Sequence, residues 1–220
     1  MQKTALIAGA SGLIGLQLLP LLLASDRYAK VIVVARRPLP QMHAKLEQRI
    51  LDFNQLEEHS MSLIADDVYC CLGTTLRQAG SKEAFYRVDY LYVVTLAALT
   101  ARNFASQLLL VSAMGADAES RIYYNRVKGE MEAAVRQTPF RAIHFFRPSL
   151  LLGERNEKRL GEQVGAVLLR ALTPLLLGPL RKYRAVPAAA VAQAMLRAAE
   201  DDGGGIKIHF SDEIASSGVL

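Results

Sequence analysis

The chain has 220 residues, 51% hydrophobic and 21% charged, which suits one domain with its own core and excludes a disordered or collagen-like polymer. Its net charge is +5 without a block of like charges, so a nucleic-acid-binding arm is not expected and a pocket for phosphate groups is the simpler use of the excess. The only two cysteines, Cys70 and Cys71, are adjacent and cannot staple distant segments, which points to a reduced, cytoplasmic setting.

In chain order, strand and helix patterns alternate. "TALIAGA" from Thr4 reads as a buried strand, and no secretory leader is expected ahead of it. "LIGLQLLPLLLAS" from Leu13 reads as an apolar helix that Pro20 kinks or shortens. "KVIVVARR" from Lys30, "QRILDF" from Gln48 and "DDVYCCLG" from Asp66 supply three more strands. On the last of these the two cysteines belong to opposite faces, as small core residues rather than a redox pair. A long helix follows from Ser81, its N-cap, through "SKEAFYRVDYLYVVTLAALTARN"; its aromatic-rich "YRVDYLYVV" part suits either the core or a homodimer face. "QLLLVSA" from Gln107 is a fifth strand, "SRIYYNRVKGEMEAAVRQ" from Ser120 a helix and "RAIHFFRPS" from Arg141 a sixth strand.

Beyond Pro148 the pattern loosens. "KRLGEQVGAVLLRALTPLLL" from Lys158 is helical with breaks, and Arg170 and Pro174 interrupt the most apolar stretch too soon for a membrane span. "VPAAAVAQAMLRAAE" from Val186 is an alanine-rich helix, and "GGGIKIHFSDEI" from Gly203 a glycine turn leading into a last strand. Continuous apolar strands alternating with helices predict an α/β, doubly wound parallel sheet of the Rossmann-like kind. The expectation is a single domain: residues 1–148 as a cofactor-binding core, residues 149–220 mostly as a small substrate-side lobe with the last helix and strand.

Gly9, Gly12 and Gly15 stand at even spacing between the first strand and first helix. A doubly wound sheet binds a dinucleotide at that turn. Gly9 lets the chain leave the strand tightly, Gly12 keeps side-chain atoms away from a pyrophosphate, and Gly15 lets helix and strand pack closely. The free N–H groups and partial positive charge of the helix start complete an anion site. The second strand ends with Ala35 near the place where an acid would hold a ribose 2′-hydroxyl, and Arg36 and Arg37 follow. Two arginines there favour NADP(H) over NAD(H), because guanidinium groups bind a 2′-phosphate by charge-assisted hydrogen bonds.

In "YYNRVKGE", Tyr124 and Lys128 are one helical turn apart and share a face, so an ammonium lies where it can lower a phenol's pKa. Tyr123, at the same spacing, meets only Val127. The histidines His43, His59, His144 and His209 are scattered without ligand spacing, and no metal is expected.

The glycine triplet and the Y-x-x-x-K pair together resemble the short-chain dehydrogenase/reductase superfamily. The stretches "AGASGLIG", "CCLGTT", "VSAMGA", "YYNRVKGEMEAAV" and "FRPSLLLGER" resemble more narrowly its atypical branch, the Tat-interacting-protein oxidoreductases and their bacterial relatives. The resemblance spans nearly the whole chain. It implies a phosphate loop of Gly9, Ser11, Gly12, Leu13, Ile14 and Gly15, with Arg36 and Arg37 at the adenosine phosphate and Asp52 and Phe53 against adenine. It places Cys71, Leu72, Gly73 and Thr74 beside the nicotinamide half of the cofactor, Pro148, Leu150 and Leu151 near its ring, and Tyr124 and Lys128 as catalytic residues. The family's catalytic serine closes the fifth strand; here Ser112 is the only serine there, and Ala113 and Met114 stand where relatives carry further serines.

The implied activity is NADP(H)-dependent hydride transfer to or from a small carbonyl or alcohol, with Tyr124 as acid/base. The alternative is a non-catalytic NADP(H) sensor acting through a protein partner.

Overall fold

The β-branched and leucine-rich runs form the strands, as their pattern predicts. The computed structural model describes residues 2–152, 183–201 and 203–217. In order, the strands are β1 (Lys3–Ala8), β2 (Tyr28–Ala35), β3 (Leu46–Ile50), β4 (Asp67–Cys70), β5 (Gln107–Val111), β6 (Ala142–Arg147), β7 (Leu151–Leu152), β8 (Val186–Pro187) and β9 (Gly205–Phe210). The helices are α1 (Gly15–Ala24), α2 (Leu76–Ala79), α3 (Lys82–Tyr86), α4 (Tyr92–Arg102), α5 (Tyr123–Val135), α6 (Ala188–Glu200) and α7 (Ser211–Ser217); an irregular 3-10 segment, Phe53–Ser62, precedes β4.

Seven strands form one sheet in the order β3-β2-β1-β4-β5-β6-β9, every neighbouring pair parallel, while β7 and β8 form a small separate pair. The chain adds strands outward in one direction as far as β3 and then in the other from β4, and this reversal of order between β1 and β4 opens a crevice at their carboxyl ends, the usual binding place in such sheets. Alternation sorts side chains to two cores. Ala5, Ile7, Val31, Val33, Tyr69 and Phe146 pack with Leu18 and Leu22 of α1 and Val191 and Met195 of α6. Leu6, Ile32, Val34, Val68, Leu110 and Phe145 pack with Leu96 and Ala97 of α4 and Met131 and Val135 of α5. Each fully buried leucine contributes about 2 kcal/mol relative to exposure. Cys70 lies in the second core and Cys71 packs against the first, both as free thiols.

Several boundaries differ from the sequence expectation. α1 starts at Gly15 rather than Leu13, and keeps Pro20 within its run on the exposed side. The third strand starts two residues earlier and ends three residues earlier than read, because Asp52 turns the chain by accepting the Asn54 N–H. The long helix from Ser81 is capped as read, its hydroxyl accepting the Ala84 N–H at 3.0 Å, but it passes through a π-turn, Arg87–Leu91. The last strand stops at Phe210, since Asp212 and Glu213 favour the first turn of a helix. Within 149–220, α6 packs on α1 and β9 adds to the main sheet beside β6. The helix pattern from Lys158 lies outside the described residues.

The amino end of the sheet is closed by charge. Asp67 is fully buried, paired with Arg27 at 3.0 Å and Lys3 at 3.3 Å, and it accepts hydrogen bonds from Tyr28 and Gln107.

Candidate active site

The crevice begins where β1 gives way to α1. Gly9 has φ +85, and a Cβ there would lie 2.5 Å from the Cys71 carbonyl oxygen, so only glycine lets β1 and β4 end side by side. A Cβ on Gly15 would meet the Gly9 oxygen at 2.2 Å, so α1 is seated directly on the loop. Gly12 differs: its Cβ would find the Gly9 oxygen at 3.2 Å and otherwise only Cys71 at 3.9 Å, leaving its outer side open. No side chain caps the start of α1, and no acid lies in its first turn. An uncapped helix start behind a bare loop is a cradle for an anionic group such as a pyrophosphate. Ser11, Leu13 and Ile14 belong to the same loop, Ser11 exposed and Ile14 buried.

Arg36 and Arg37, just past the end of β2, are exposed and make no ion pair among the described residues. Asp52 is exposed, with one oxygen taking both the main-chain and side-chain N–H of Asn54. Phe53 is buried with its ring 5.5 Å from that of Tyr92, so its ring belongs to the core.

The opposite wall follows β4. Cys71 N–H bonds to Ala8 O at 2.8 Å, and Thr74 N–H bonds to the Asp89 carboxylate at 2.9 Å. Asp89 is also 2.8 Å from Lys128 Nζ, and both side chains are essentially buried. A Cβ on Gly73 would sit 3.4 Å from the Asp89 carboxylate and 3.7 Å from Nζ, so the loop lies directly over the pair. Burial works against the Lys128 charge, but Asp89 and then Tyr124 outweigh it and the lysine pKa is raised. Burial pushes the nearby Cys70 thiol up to about 11 and Cys71 well up, which keeps both unreactive.

Tyr124 is half-buried at the start of α5, its ring 5.5 Å from that of the buried Phe85. Its neighbour Tyr123 donates its hydroxyl to the Lys82 carbonyl at 2.9 Å and lies under the cations of Lys82 and Arg126. The structure thus separates the two tyrosines, one engaged in a structural bond and one beside the buried lysine.

Ser112 follows β5 and is buried. Its hydroxyl donates to Glu132 at 2.6 Å, and Glu132 is held in turn by both arms of the Arg147 guanidinium, at 2.9 and 2.6 Å. Pro148 is buried and its carbonyl accepts the Met114 N–H; Leu150 O accepts the Val186 N–H, and Leu151 is half-buried in β7. Sequence reading missed Asp89 and Glu132. Each is an acid at a core-facing helical position, which was a legible signal even though its partner was not.

A parallel sheet of this order, with a glycine cradle at its switch point, is a nucleotide-dependent, oxidoreductase-type fold. The family profile described as "NAD dependent epimerase/dehydratase family" matches residues 5–209. The chain belongs to that family, and within the short-chain dehydrogenase/reductases to the atypical HTATIP2-like branch. It is 37% identical to Protein HTATIP2 of Rattus norvegicus over 207 residues, 92% of this chain and 84% of the relative. It is 31% identical over 218 residues to "Protein FMP52, mitochondrial" of Eremothecium gossypii, covering 96% of each. Among solved structures it resembles MoeE5 in complex with UDP-glucuronic acid and NAD, with a TM-score of 0.70 at 18% identity over 93% of this chain and 75% of that one. UDP-glucose 4-epimerase from Thermotoga maritima gives a TM-score of 0.67 at 16% identity, with the same shares covered. These two likenesses carry the fold. No helix among the described residues is long and apolar enough to cross a membrane.

Proposed function

We propose that the protein is an NADP(H)-dependent oxidoreductase that interconverts a small-molecule carbonyl and its alcohol. The observation that carries this reading is the position of Lys128 Nζ, buried beneath the loop that continues β4 and one helical turn from Tyr124. The loop of Gly9, Ser11, Gly12, Leu13, Ile14 and Gly15 would hold the pyrophosphate, Arg36 and Arg37 the 2′-phosphate, and residues 71–74 with Pro148, Leu150 and Leu151 the nicotinamide half. Asp52 and the main chain at Phe53 would border the adenine. The dinucleotide, when bound, supplies or accepts the hydride.

In reduction, Tyr124 gives its phenolic proton to the carbonyl oxygen, and in oxidation it takes that proton back. Lys128 stabilises the phenolate form and offers its remaining N–H donors to a ribose hydroxyl. The expected result is that Tyr124→Phe abolishes NADPH-dependent carbonyl reduction while dinucleotide affinity changes less than about threefold; unchanged turnover would remove Tyr124 from this role. Cytoplasmic residence belongs to the same reading and is supported by the two free cysteines; cell fractionation tests it against the mitochondrial location in the names of the fungal relatives. Exposed Leu91 at the start of α4 supports a homodimer face, which sedimentation velocity reads.

The engagement of Ser112 by Glu132 favours a second reading, a sensor that binds NADP(H) and acts through a protein partner without chemistry. Screening carbonyl compounds for NADPH oxidation separates the two, since the sensor oxidises none.

A further inference from the structure

The loops that enter β3, β4 and β5 lie at the amino end of the sheet, opposite the glycine cradle. They carry the three most exposed large apolar side chains among the described residues: Met42 at 95%, Phe104 at 94% and Met61 at 78%, with Ile64 half-exposed three residues after Met61. These segments are held in place. Leu46 N–H bonds to the His43 carbonyl at 3.0 Å just past Met42, Asn103 Nδ2 donates to the Ser60 carbonyl at 2.7 Å, and Ser106 N–H bonds to the Asp66 carbonyl at 2.8 Å. The last two bonds join the loop of Phe104 to that of Met61 and Ile64. Phe104 itself closes α4 with φ +64. Its N–H bonds to the Ala101 carbonyl at 3.1 Å and the Ala105 N–H to the Thr100 carbonyl at 3.0 Å, a helix ending that usually places glycine here because a Cβ is crowded in left-handed backbone. Phenylalanine gains no packing in return, since its ring stands in water. A helix end that bears this cost without a contact inside the chain keeps the ring for something outside it.

We propose that the amino-terminal rim of the sheet docks on a lipid bilayer carrying anionic headgroups, with Phe104 as the central anchor and Met42, Met61 and Ile64 beside it. The arrangement of the tips selects this occupant. A folded partner engages about 20–30 residues a side in a standard interface, and separate apolar tips with polar residues between them do not make such a face. A fluid bilayer receives each side chain on its own, and its hold grows with the apolar area inserted and with attraction to anionic lipid. The charges agree. Arg102, exposed and without an ion pair among the described residues, precedes Phe104 by two positions, and Lys45 follows Met42 by three. The acid in the row, Asp66, is already engaged by the Thr4 N–H at 2.7 Å. Docked this way, the crevice at the carboxyl end faces the aqueous side. The proposal is independent of the oxidoreductase reading, since it uses no residue of that site.

The chain contains no tryptophan, so one introduced indole reports its own surroundings. With vesicles of phosphatidylcholine and a minority of phosphatidylserine, the emission of Phe104→Trp should shift to the blue and be quenched by brominated acyl chains. Ile122→Trp, placed on an exposed position at the other end of the sheet, should show neither change. In flotation with the same vesicles the parent protein should rise with the lipid, and Phe104→Gly should bind at least about tenfold more weakly. The melting temperature of Phe104→Gly should stay level or rise, because glycine suits the left-handed position. An indole at position 104 that stays unshifted, one at position 122 that responds equally, or a Phe104→Gly protein that floats like the parent overturns the proposal. So does a lower melting temperature in Phe104→Gly, which would show that the ring packs within the protein. A parent that ignores vesicles but sediments as a dimer dissociated by Phe104→Gly would assign the rim to a second copy of the chain instead, and equally overturns docking on lipid.

Discussion

Gly12 and Gly15 make one sharp prediction because the same substitution does opposite things at the two positions. In Gly15→Ala the new methyl carbon is placed 2.2 Å from the Gly9 oxygen and 2.6 Å from the Ala10 Cα, both main-chain atoms that cannot swing aside. That is roughly 1 Å short of an ordinary C···O contact, so α1 must lift off the loop, dragging Leu18, Leu19 and Leu22 with it. Overpacking of this kind costs about 1–3 kcal/mol, offset only in part by the better helix propensity of alanine. For a chain of this size the melting temperature should fall by roughly 2–10 °C in the absence of ligand. In Gly12→Ala the methyl meets the Gly9 oxygen at 3.2 Å and needs a shift of only a few tenths of an ångström. Stability should stay within about 1 kcal/mol of the parent, because alanine also restricts the unfolded chain. Yet the methyl fills the open side of the cradle, and NADP(H) affinity should fall at least about tenfold, or 1.4 kcal/mol. Thermal melting without ligand and titration calorimetry with NADP(H) read the two effects separately. A Gly12→Ala protein that binds as tightly as the parent refutes the assignment of this loop to the pyrophosphate, and an unshifted Gly15→Ala melting curve refutes the packing of α1.

Two further outcomes follow from other sites. Replacing Arg36 and Arg37 by alanine should weaken NADPH binding by about ten- to a hundredfold while NADH binding changes little, since only the former carries the 2′-phosphate; equal losses for both cofactors would make the arginines bystanders. His144 is fully buried, its ring nitrogen 3.0 Å from His209, and burial followed by the His209 and Lys207 charges pushes its pKa down to about 4. The folded value lies below the unfolded one of about 6.5, so its contribution to stability is complete above that pH and is lost as pH falls toward about 4. Melting temperature should drop across that window more steeply in the parent than in His144→Phe, and identical slopes would exclude the histidine as the cause.

The sheet was legible because strands buried on both faces leave continuous apolar runs, as in "ALIA" and "VIVV", and the glycine loop announced the switch point between β1 and β4. The Tyr124–Lys128 pair was legible because helical spacing alone puts the two residues on one face. What local pattern could not convey was pairing between elements. Asp89 meets Lys128 across two helices, and Glu132 meets Arg147 from α5 to β6. Both acids occupy positions where the helix phase calls for an apolar residue, so the sequence marked them as anomalies without naming their partners. The same gap explains Ser112: its place at the end of β5 was readable, but the direction of its hydroxyl depended on a carboxylate two helical turns beyond Tyr124.

The bond from Tyr123 to the Lys82 carbonyl has a consequence for how this helix tolerates change. Two identical phenols stand side by side, and a backbone anchor distinguishes the first from the second. Inserting or deleting a single residue ahead of the helix would rotate its start by about 100°, exchanging an anchored ring for a free one while leaving composition almost untouched. The doublet is thus a vernier: any drift in the alignment of the helix is registered as a swap of partners.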